Sequence, residues 1–277
     1  MEELIAGYAI LTVPEELVER ITEFSEIEYV EKPKRYYYGV DKNREEDGNT
    51  EKKTGRRIEQ PERDLEYFAA ESGLVSSTAV SMEEVKREAC ISQVTDREPF
   101  LTGRGVLMAV LDSGIDISLP VFRNADGTTR ILSLWDQAEG KEYDSRQIDE
   151  ALHRQERDMA GYGTESIGAV YFDSLTLPGR DVTGHGTAVT AIAAGSAVWP
   201  NRNNGLSHIQ NSGYEGIAPQ ASILFVKLGI ADRNGFPRTT EIMRGVTYAI
   251  RKALTLSMPL VINLSFGNCY GAHEPYN

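Results

Sequence analysis

An acid and a histidine occupy two positions in the chain from which side chains of a folded α/β domain can do chemistry. Asp112 directly follows the apolar run Val106–Leu111 and precedes Ser113-Gly114, a pattern typical of a strand buried on both faces of a parallel sheet. His185 lies between two glycines, at the start of a helix predicted from the small and apolar residues 188–195. A carboxylate that orients an imidazole forms the general base of nucleophilic catalysis. Asp112 and His185 are therefore candidate catalytic residues.

Both residues also have a purely structural interpretation. Asp112 could begin a turn or cap a helix, and His185 could be a histidine whose ring is satisfied at a helix terminus. The other histidines, His153, His208 and His273, lie in polar or loop surroundings without ligand spacing, so no metal site is predicted. A second class of function, a nucleotide-binding or flavodoxin-like module, is disfavoured because no G-x-G-x-x-G or G-x-x-x-x-G-K-[ST] motif follows a predicted strand.

The elements that must position this pair alternate between strands and helices. Apolar runs predict three buried strands, and helical periodicity predicts two helices between them; the strands are 106–111, 223–227 and 260–265. The first helix, starting near His185, should be buried on all sides. The second should be capped by Thr240 and should bury Ile242, Val246, Ile250 and Leu254. This order predicts an α/β fold with a doubly wound, mostly parallel sheet.

The residues from Phe122 to Val182 are expected to decorate this core rather than belong to it. Within them, Ile131–Trp135 could be a strand. Asp144 and Gln147 resemble a capping box, which predicts a short surface helix.

The N-terminal part of the chain predicts a separate small unit. A strand at Leu4–Val13, a helix that starts at Pro14 and a second strand at Ile27–Val30 give a β-α-β unit over residues 1–40. Residues 41–94 read as a linker or processing region, since 16 of the 26 residues from Asp41 to Glu66 are charged. A short helix over Met82–Cys90 is expected at its end. The large domain then spans 95–277.

Composition excludes several classes of function. The 277 residues carry a net charge of -13, so electrostatic binding to nucleic acid is not expected. The two cysteines do not form a disulfide framework. The acidic N-terminus lacks the features of a secretory signal, and no apolar run approaches the ~20 residues of a membrane span. The compartment is not assigned by these features.

Four short motifs together resemble the subtilases, the subtilisin-like serine proteases. They occur in the order of that family: Asp112-Ser113-Gly114-Ile115-Asp116, Gly184-His185-Gly186-Thr187, Gly216-Ile217-Ala218-Pro219 and Val261-Ile262-Asn263-Leu264-Ser265-Phe266-Gly267. Asn124–Arg130 and Leu134-Trp135-Asp136 further resemble the Csp-type branch known from spore germination. The resemblance extends over 102–267, and the N-terminal unit is similar, more loosely, to a shortened propeptide. It implies a spore-associated or cytoplasmic location.

The resemblance implies a serine-type endopeptidase without a cofactor. Asp112 would be the acid of the triad and His185 its base. A protein or peptide substrate would add as a strand between the turn around Gly235 on one side and Ser265, Phe266 and Gly267 on the other, although Phe266 could instead be a core residue. The propeptide of the chain itself would be a second partner. Its Tyr36-Tyr37-Tyr38 segment, which could also be core, would occupy the cleft before processing between Val40 and Cys90.

The chain also departs from the family pattern. It contains no Gly-Thr-Ser nucleophile motif and no Ala-Gly-Asn oxyanion segment, and family order would place both beyond Asn277. We therefore expect the chain as written to be a fragment of the catalytic domain, incomplete at its C-terminus, and to be inactive. Leu119-Pro120-Val121 replaces the His-Pro-Asp of many subtilases, so the calcium site of the family is not supported. The alternative is a pseudoprotease scaffold, against which the retention of Asp112 and His185 argues.

Overall fold

The computed structural model describes seven parts of the chain: residues 1–34, 82–161, 177–196, 198–200, 206–208, 215–229 and 237–265. Its centre is a sheet of five strands: β3 Leu107–Asp112, β4 Ile131–Asp136, β5 Lys141–Asp144, β8 Ser222–Lys227 and β9 Leu260–Leu264. Their order in the sheet is β5-β4-β8-β3-β9. Strands β4, β8, β3 and β9 run parallel, and β5 is antiparallel to β4.

Helices cover both faces of this sheet. Helices α4 (Ser145–Gly161) and α5 (His185–Ala194) lie on one face, and α6 (Thr239–Leu256) lies on the other. Alternate residues of β3 serve the two faces: Val110 joins the core of the first, and Leu111 joins the core of the second. The predicted doubly wound, mostly parallel α/β sheet is confirmed.

Strand β4 corrects one expectation. The residues from Phe122 to Val182 were expected to decorate the core, but Ile131 and Leu134 are fully buried and β4 pairs with β8 inside the sheet. The predicted capping box is present, since the backbone N–H of Gln147 donates to Asp144 Oδ1 at 2.8 Å. Helix α4 is 17 residues long rather than short, and it buries Ile148 against the same core. A strand beyond a long connection is hard to assign to a sheet because its pairing is non-local.

Details of three other predicted elements, two helices and a strand, are also wrong. Helix α5 is not buried on all sides: its stripe Gly186, Thr190 and Ala194 faces the sheet, while Ile192 is 55% exposed. Helix α6 begins at Thr239 rather than after a Thr240 cap. Its first turn is capped by the Glu241 carboxylate, which accepts from the Arg238 backbone amide at 3.0 Å, and Leu254 is 73% exposed. Strand β9 is confirmed as a strand but lies at the sheet edge among the described residues, so Val261 and Leu264 are half exposed.

The N-terminal unit differs from the expected β-α-β arrangement. Its first segment is a hairpin of two short strands, β1 (Glu2–Glu3) and β2 (Ala9–Ile10), instead of one strand. A 3-10 turn after Pro14 leads into α1 (Val18–Thr22) as predicted. Residues 27–30 are not a strand. With Phe24 61% exposed, this unit has little apolar core of its own.

This N-terminal unit contacts the start of α6. The Arg244 guanidinium forms two contacts with Glu2 Oε2, at 2.7 Å from Nε and 2.6 Å from a terminal nitrogen. Lys34 and Thr239 exchange two hydrogen bonds: the Thr239 amide donates to the Lys34 carbonyl at 2.8 Å, and the side-chain Oγ1 of Thr239 accepts from the Lys34 amide at 2.7 Å. The described part of the unit is therefore attached to the large domain near its first and its last residue.

The remaining described elements are short. Helices α2 (Met82–Glu88) and α3 (Ser92–Thr95) precede the large domain, and β6 (Val198–Pro200) pairs with β7 (Leu206–His208). The expected helix over Met82–Cys90 is confirmed in α2, while the charged segment 41–66 lies outside the described residues. Among the described helices, none is long and apolar enough to cross a bilayer.

Candidate active site

The structure brings Asp112 and His185 together. Asp112 is the last residue of β3 and is fully buried, whereas His185 is the first residue of α5 and its side chain is 31% exposed. His185 Nδ1 lies 2.8 Å from Asp112 Oδ1. Because the carboxylate accepts from Nδ1–H, it selects one tautomer of the ring. The pair thus has one member protected from water and one facing it.

The carboxylate of Asp112 is held by its own turn. Oδ1 also accepts from the Ser113 amide at 2.7 Å, and Oδ2 is buried without a hydrogen-bond partner among the described residues. Such a group is expected where the fold serves a site and not its own stability.

Two glycines set how closely helix and strand approach. A methyl group at Gly186 would overlap the carbonyl oxygen of Gly114 and would lie 3.0 Å from Asp112 Cβ. A methyl group at Gly114 would in turn lie 2.6 Å from the backbone oxygen of Arg180. Gly184, at φ 75°, adopts a left-handed conformation at the helix N-terminus. Of the glycines beside His185, Gly186 therefore permits a close backbone contact and Gly184 permits a turn.

Replacing Gly186 by alanine should destabilise the chain, although alanine in a helix is normally better than glycine by roughly 0.5–1 kcal/mol. The added methyl group meets backbone, which cannot move without separating α5 from β3, and overpacking of this kind costs about 1–3 kcal/mol. Thermal unfolding followed by circular dichroism measures the effect. The control is Gly245→Ala in α6, where the new methyl meets the side-chain Cδ2 atom of Leu111 and a smaller loss is expected. A Gly186→Ala protein at least as stable as the parent would contradict the argument.

A second acid, Asp181, joins the two halves of the site, and the sequence motifs did not single it out. Its Oδ1 accepts from Ser113 Oγ at 2.9 Å and from the Gly184 amide at 3.0 Å. Its Oδ2 accepts from the Thr187 amide at 2.8 Å and from Thr187 Oγ1 at 2.6 Å. An Asp shortly before a predicted helix is a capping signal, and that signal could have identified it.

An ion pair lies beside Asp112 at the carboxyl ends of the parallel strands. Lys227 is the strand partner of both Asp112 and Asp136, and its Nζ lies 3.1 Å from Asp136 Oδ2. The Asp136 side chain is 2% exposed. Three charged residues thus end three adjacent strands.

Of the predicted substrate-binding residues, Ser265 is described. It follows β9, whose Leu264 pairs with Leu111. Ser265 therefore lies at the same carboxyl end of the parallel strands as Asp112. Its Oγ accepts from Asn263 Nδ2 at 2.7 Å. Gly235, Phe266 and Gly267 lie outside the described residues, as does the Tyr36–Tyr38 segment. No group of three or more metal-ligating side chains comes together in the described part of the chain.

Comparison with protein families agrees with this arrangement. The model of the subtilase family matches residues 103–276, more than half of the chain. The chain belongs to the subtilase family. Residues 1–34 match the prodomain of Csp protease B, which makes the chain a Csp-type subtilase whose N-terminal unit corresponds to a prodomain.

Among solved structures, the CspB protease of Clostridium perfringens is similar, with 31% sequence identity and a TM-score of 0.48. The similarity covers 64% of this chain and 32% of that protein. The chain therefore spans about a third of that relative. No curated protein sequence matches the chain.

Proposed function

We propose that this subtilase chain supplies the acid and the base of a serine endopeptidase triad. The observation that carries the proposal is the 2.8 Å contact between His185 Nδ1 and Asp112 Oδ1, made by a buried acid and a partly exposed ring. A scaffold has no chemical need for this pair. Family membership supports the same class of reaction.

In the proposed reaction, a serine hydroxyl attacks the peptide carbonyl and His185 takes up its proton at Nε2. Asp112 keeps Nδ1 protonated and stabilises the imidazolium by its charge. The imidazolium then donates its proton to the leaving amine, and water hydrolyses the acyl-enzyme in a second round of the same transfers. The 277 residues contain no Gly-Thr-Ser motif, so we expect this stretch alone not to hydrolyse peptides.

We further propose that the substrate is a protein or peptide bound as an added strand, with Ser265, Phe266 and Gly267 on one side and Gly235 on the other. Ser265 lies at the same carboxyl end of the parallel strands as Asp112, which supports this assignment. The N-terminal unit, as a prodomain, would be the first occupant of that cleft through Tyr36–Tyr38. Its attachment at Thr239, the first residue of α6, supports such a course.

A serine-reactive fluorophosphonate probe tests the proposal. The complete gene product, including any sequence after Asn277, should be labelled, and His185→Ala should reduce the labelling rate to near background because the serine loses its base. Equal labelling of the two proteins would refute the assignment of His185. A correctly folded complete product that is not labelled at all would favour the pseudoprotease scaffold.

A further inference from the structure

Asp181 connects the segments that carry the two members of the pair. Through Ser113 Oγ, which donates to Asp181 Oδ1 at 2.9 Å, it reaches the residue next to Asp112. Through the amides of Gly184 and Thr187, which donate to it at 3.0 and 2.8 Å, it reaches the first turn of the helix that starts at His185. The carboxylate thus lies between the strand end and the helix start.

Two hydroxyl groups extend this connection. Ser113 Oγ donates to Asp181 and accepts from the Gly186 amide at 3.1 Å, so one oxygen links the strand end to the residue after His185. Thr187 Oγ1 donates to Asp181 Oδ2 at 2.6 Å and accepts from the Asp116 amide at 3.0 Å. Each hydroxyl needs the carboxylate as its acceptor, since a hydroxyl has one proton to donate. Removing the carboxylate would release both bridges at once.

These hydrogen bonds also affect the orientation of the His185 ring. The ring orientation depends on where α5 begins relative to β3, and the first turn of α5 is fixed by the groups that accept from its free amides. Asp181 accepts from two of those amides while bonded to the Asp112 turn, so one carboxylate sets the distance between both parts of the pair. A shift of about 1 Å in such a position can reduce a rate by 10²-fold.

We propose that Asp181 is a positioning residue that holds His185 Nδ1 against Asp112 through Ser113 and Thr187. The proposal rests on the proposed function for the meaning of the pair, but the geometry it concerns is present in this chain. It differs from ordinary helix capping, which would stabilise α5 without controlling the Asp112–His185 contact.

The chain offers a matched control for capping. Asp144 caps α4 by accepting from the Gln147 amide at 2.8 Å, and α4 carries neither member of the pair. Asp144→Ala therefore removes an acidic cap and leaves the site intact. Asp181→Asn is the conservative variant, because asparagine retains one acceptor oxygen and caps helices nearly as well as aspartate. Ser113→Ala removes one bridge together with the acceptor of the Gly186 amide, and leaves in place the bonds from the Gly184 and Thr187 amides to Asp181.

Proton NMR of the 277-residue chain tests the proposal without catalysis. The Nδ1–H of a histidine bonded to a carboxylate gives a far-downfield resonance, which Asp112→Asn should abolish. Asp181→Ala should broaden or remove this resonance, Asp181→Asn should retain part of it, and Asp144→Ala should leave it unchanged at a similar loss of Tm. An Asp181→Ala spectrum like that of Asp144→Ala would overturn the positioning role. If the parent chain lacked any Asp112-dependent resonance, the Asp112–His185 pair itself would be refuted.

Kinetics of the complete gene product provide the second measurement. We expect Asp181→Ala to lower kcat by roughly 10- to 100-fold with KM nearly unchanged, since no contact with substrate is involved. Ser113→Ala should lower kcat in the same way, and the double variant should lose less than the product of the two effects because both act on one linkage. The proposal would be overturned if Asp181→Ala left kcat unchanged, or if it raised KM without lowering kcat.

Discussion

Replacing Asp112 by asparagine in the complete enzyme should lower kcat by about 10⁴-fold, with little change in KM. The amide has no charge to stabilise an imidazolium at His185, and its oxygen is required by both the Ser113 amide and Nδ1–H, which lie 2.7 and 2.8 Å from Asp112 Oδ1. If the amide flips, its NH₂ group faces Nδ1 and enforces the wrong tautomer. Steady-state kinetics with a peptide substrate measures the loss.

The control for this variant is Asp126→Asn, at an exposed turn whose carboxylate accepts from Thr128. It should leave kcat within about a factor of two, because surface substitutions away from a site have small effects. Circular dichroism establishes that both variants are folded. An Asp112→Asn enzyme that kept a tenth or more of the parent kcat would contradict the role of Asp112 as the triad acid.

Replacing Arg130 by methionine should lower the free energy of unfolding by about 3–4 kcal/mol. Arg130 is 7% exposed, and its guanidinium donates to the Ala194 carbonyl at 2.7 Å and to the Ala221 carbonyl at 2.6 Å. Ala194 ends α5, so the cation also lies at the negative end of that helix. Burial lowers the pKa of Arg130 to about 10, so the group is still charged at neutral pH. Methionine fills the space of the stem but leaves these carbonyls unpaired.

Chemical denaturation of the 277-residue chain measures this effect. The control is Arg244→Met, where the side chain is 35% exposed and pairs with Glu2 at the surface. A loss of about 1 kcal/mol or less is expected there. Similar losses in the two variants would show that the buried contacts of Arg130 add nothing beyond those of a surface ion pair.

The strands that carry the site were predictable because their signals are local. The apolar run before Asp112 and the run 223–227 are long enough to identify buried strands, and both lie in the middle of the sheet. The position of His185 at a helix start was predictable for a similar reason. The approach of its ring to Asp112 follows from the βα connectivity of a parallel sheet.

Other features depend on contacts that no short window of sequence contains. The half exposure of Val261 is a property of the sheet edge, since the same apolar run would be covered between two neighbours. The place of β4 beside β8 joins residues about ninety positions apart. Asp181 was overlooked because its role depends on Ser113, which is 68 residues away in the chain.

The Lys227–Asp136 ion pair contributes to the balance of charge at the carboxyl ends of the parallel strands, where Asp112 lies. Three formal charges end consecutive strands there, and the cation contacts Asp136 at 3.1 Å. These two cancel, so the sum over the three strand ends is one negative charge, located on Asp112. A proton held by His185 brings the local sum to zero. When the base carries the proton of the nucleophile in the proposed reaction, the imidazolium charge is balanced by Asp112, because the positive charge of Lys227 at these strand ends is already paired with Asp136.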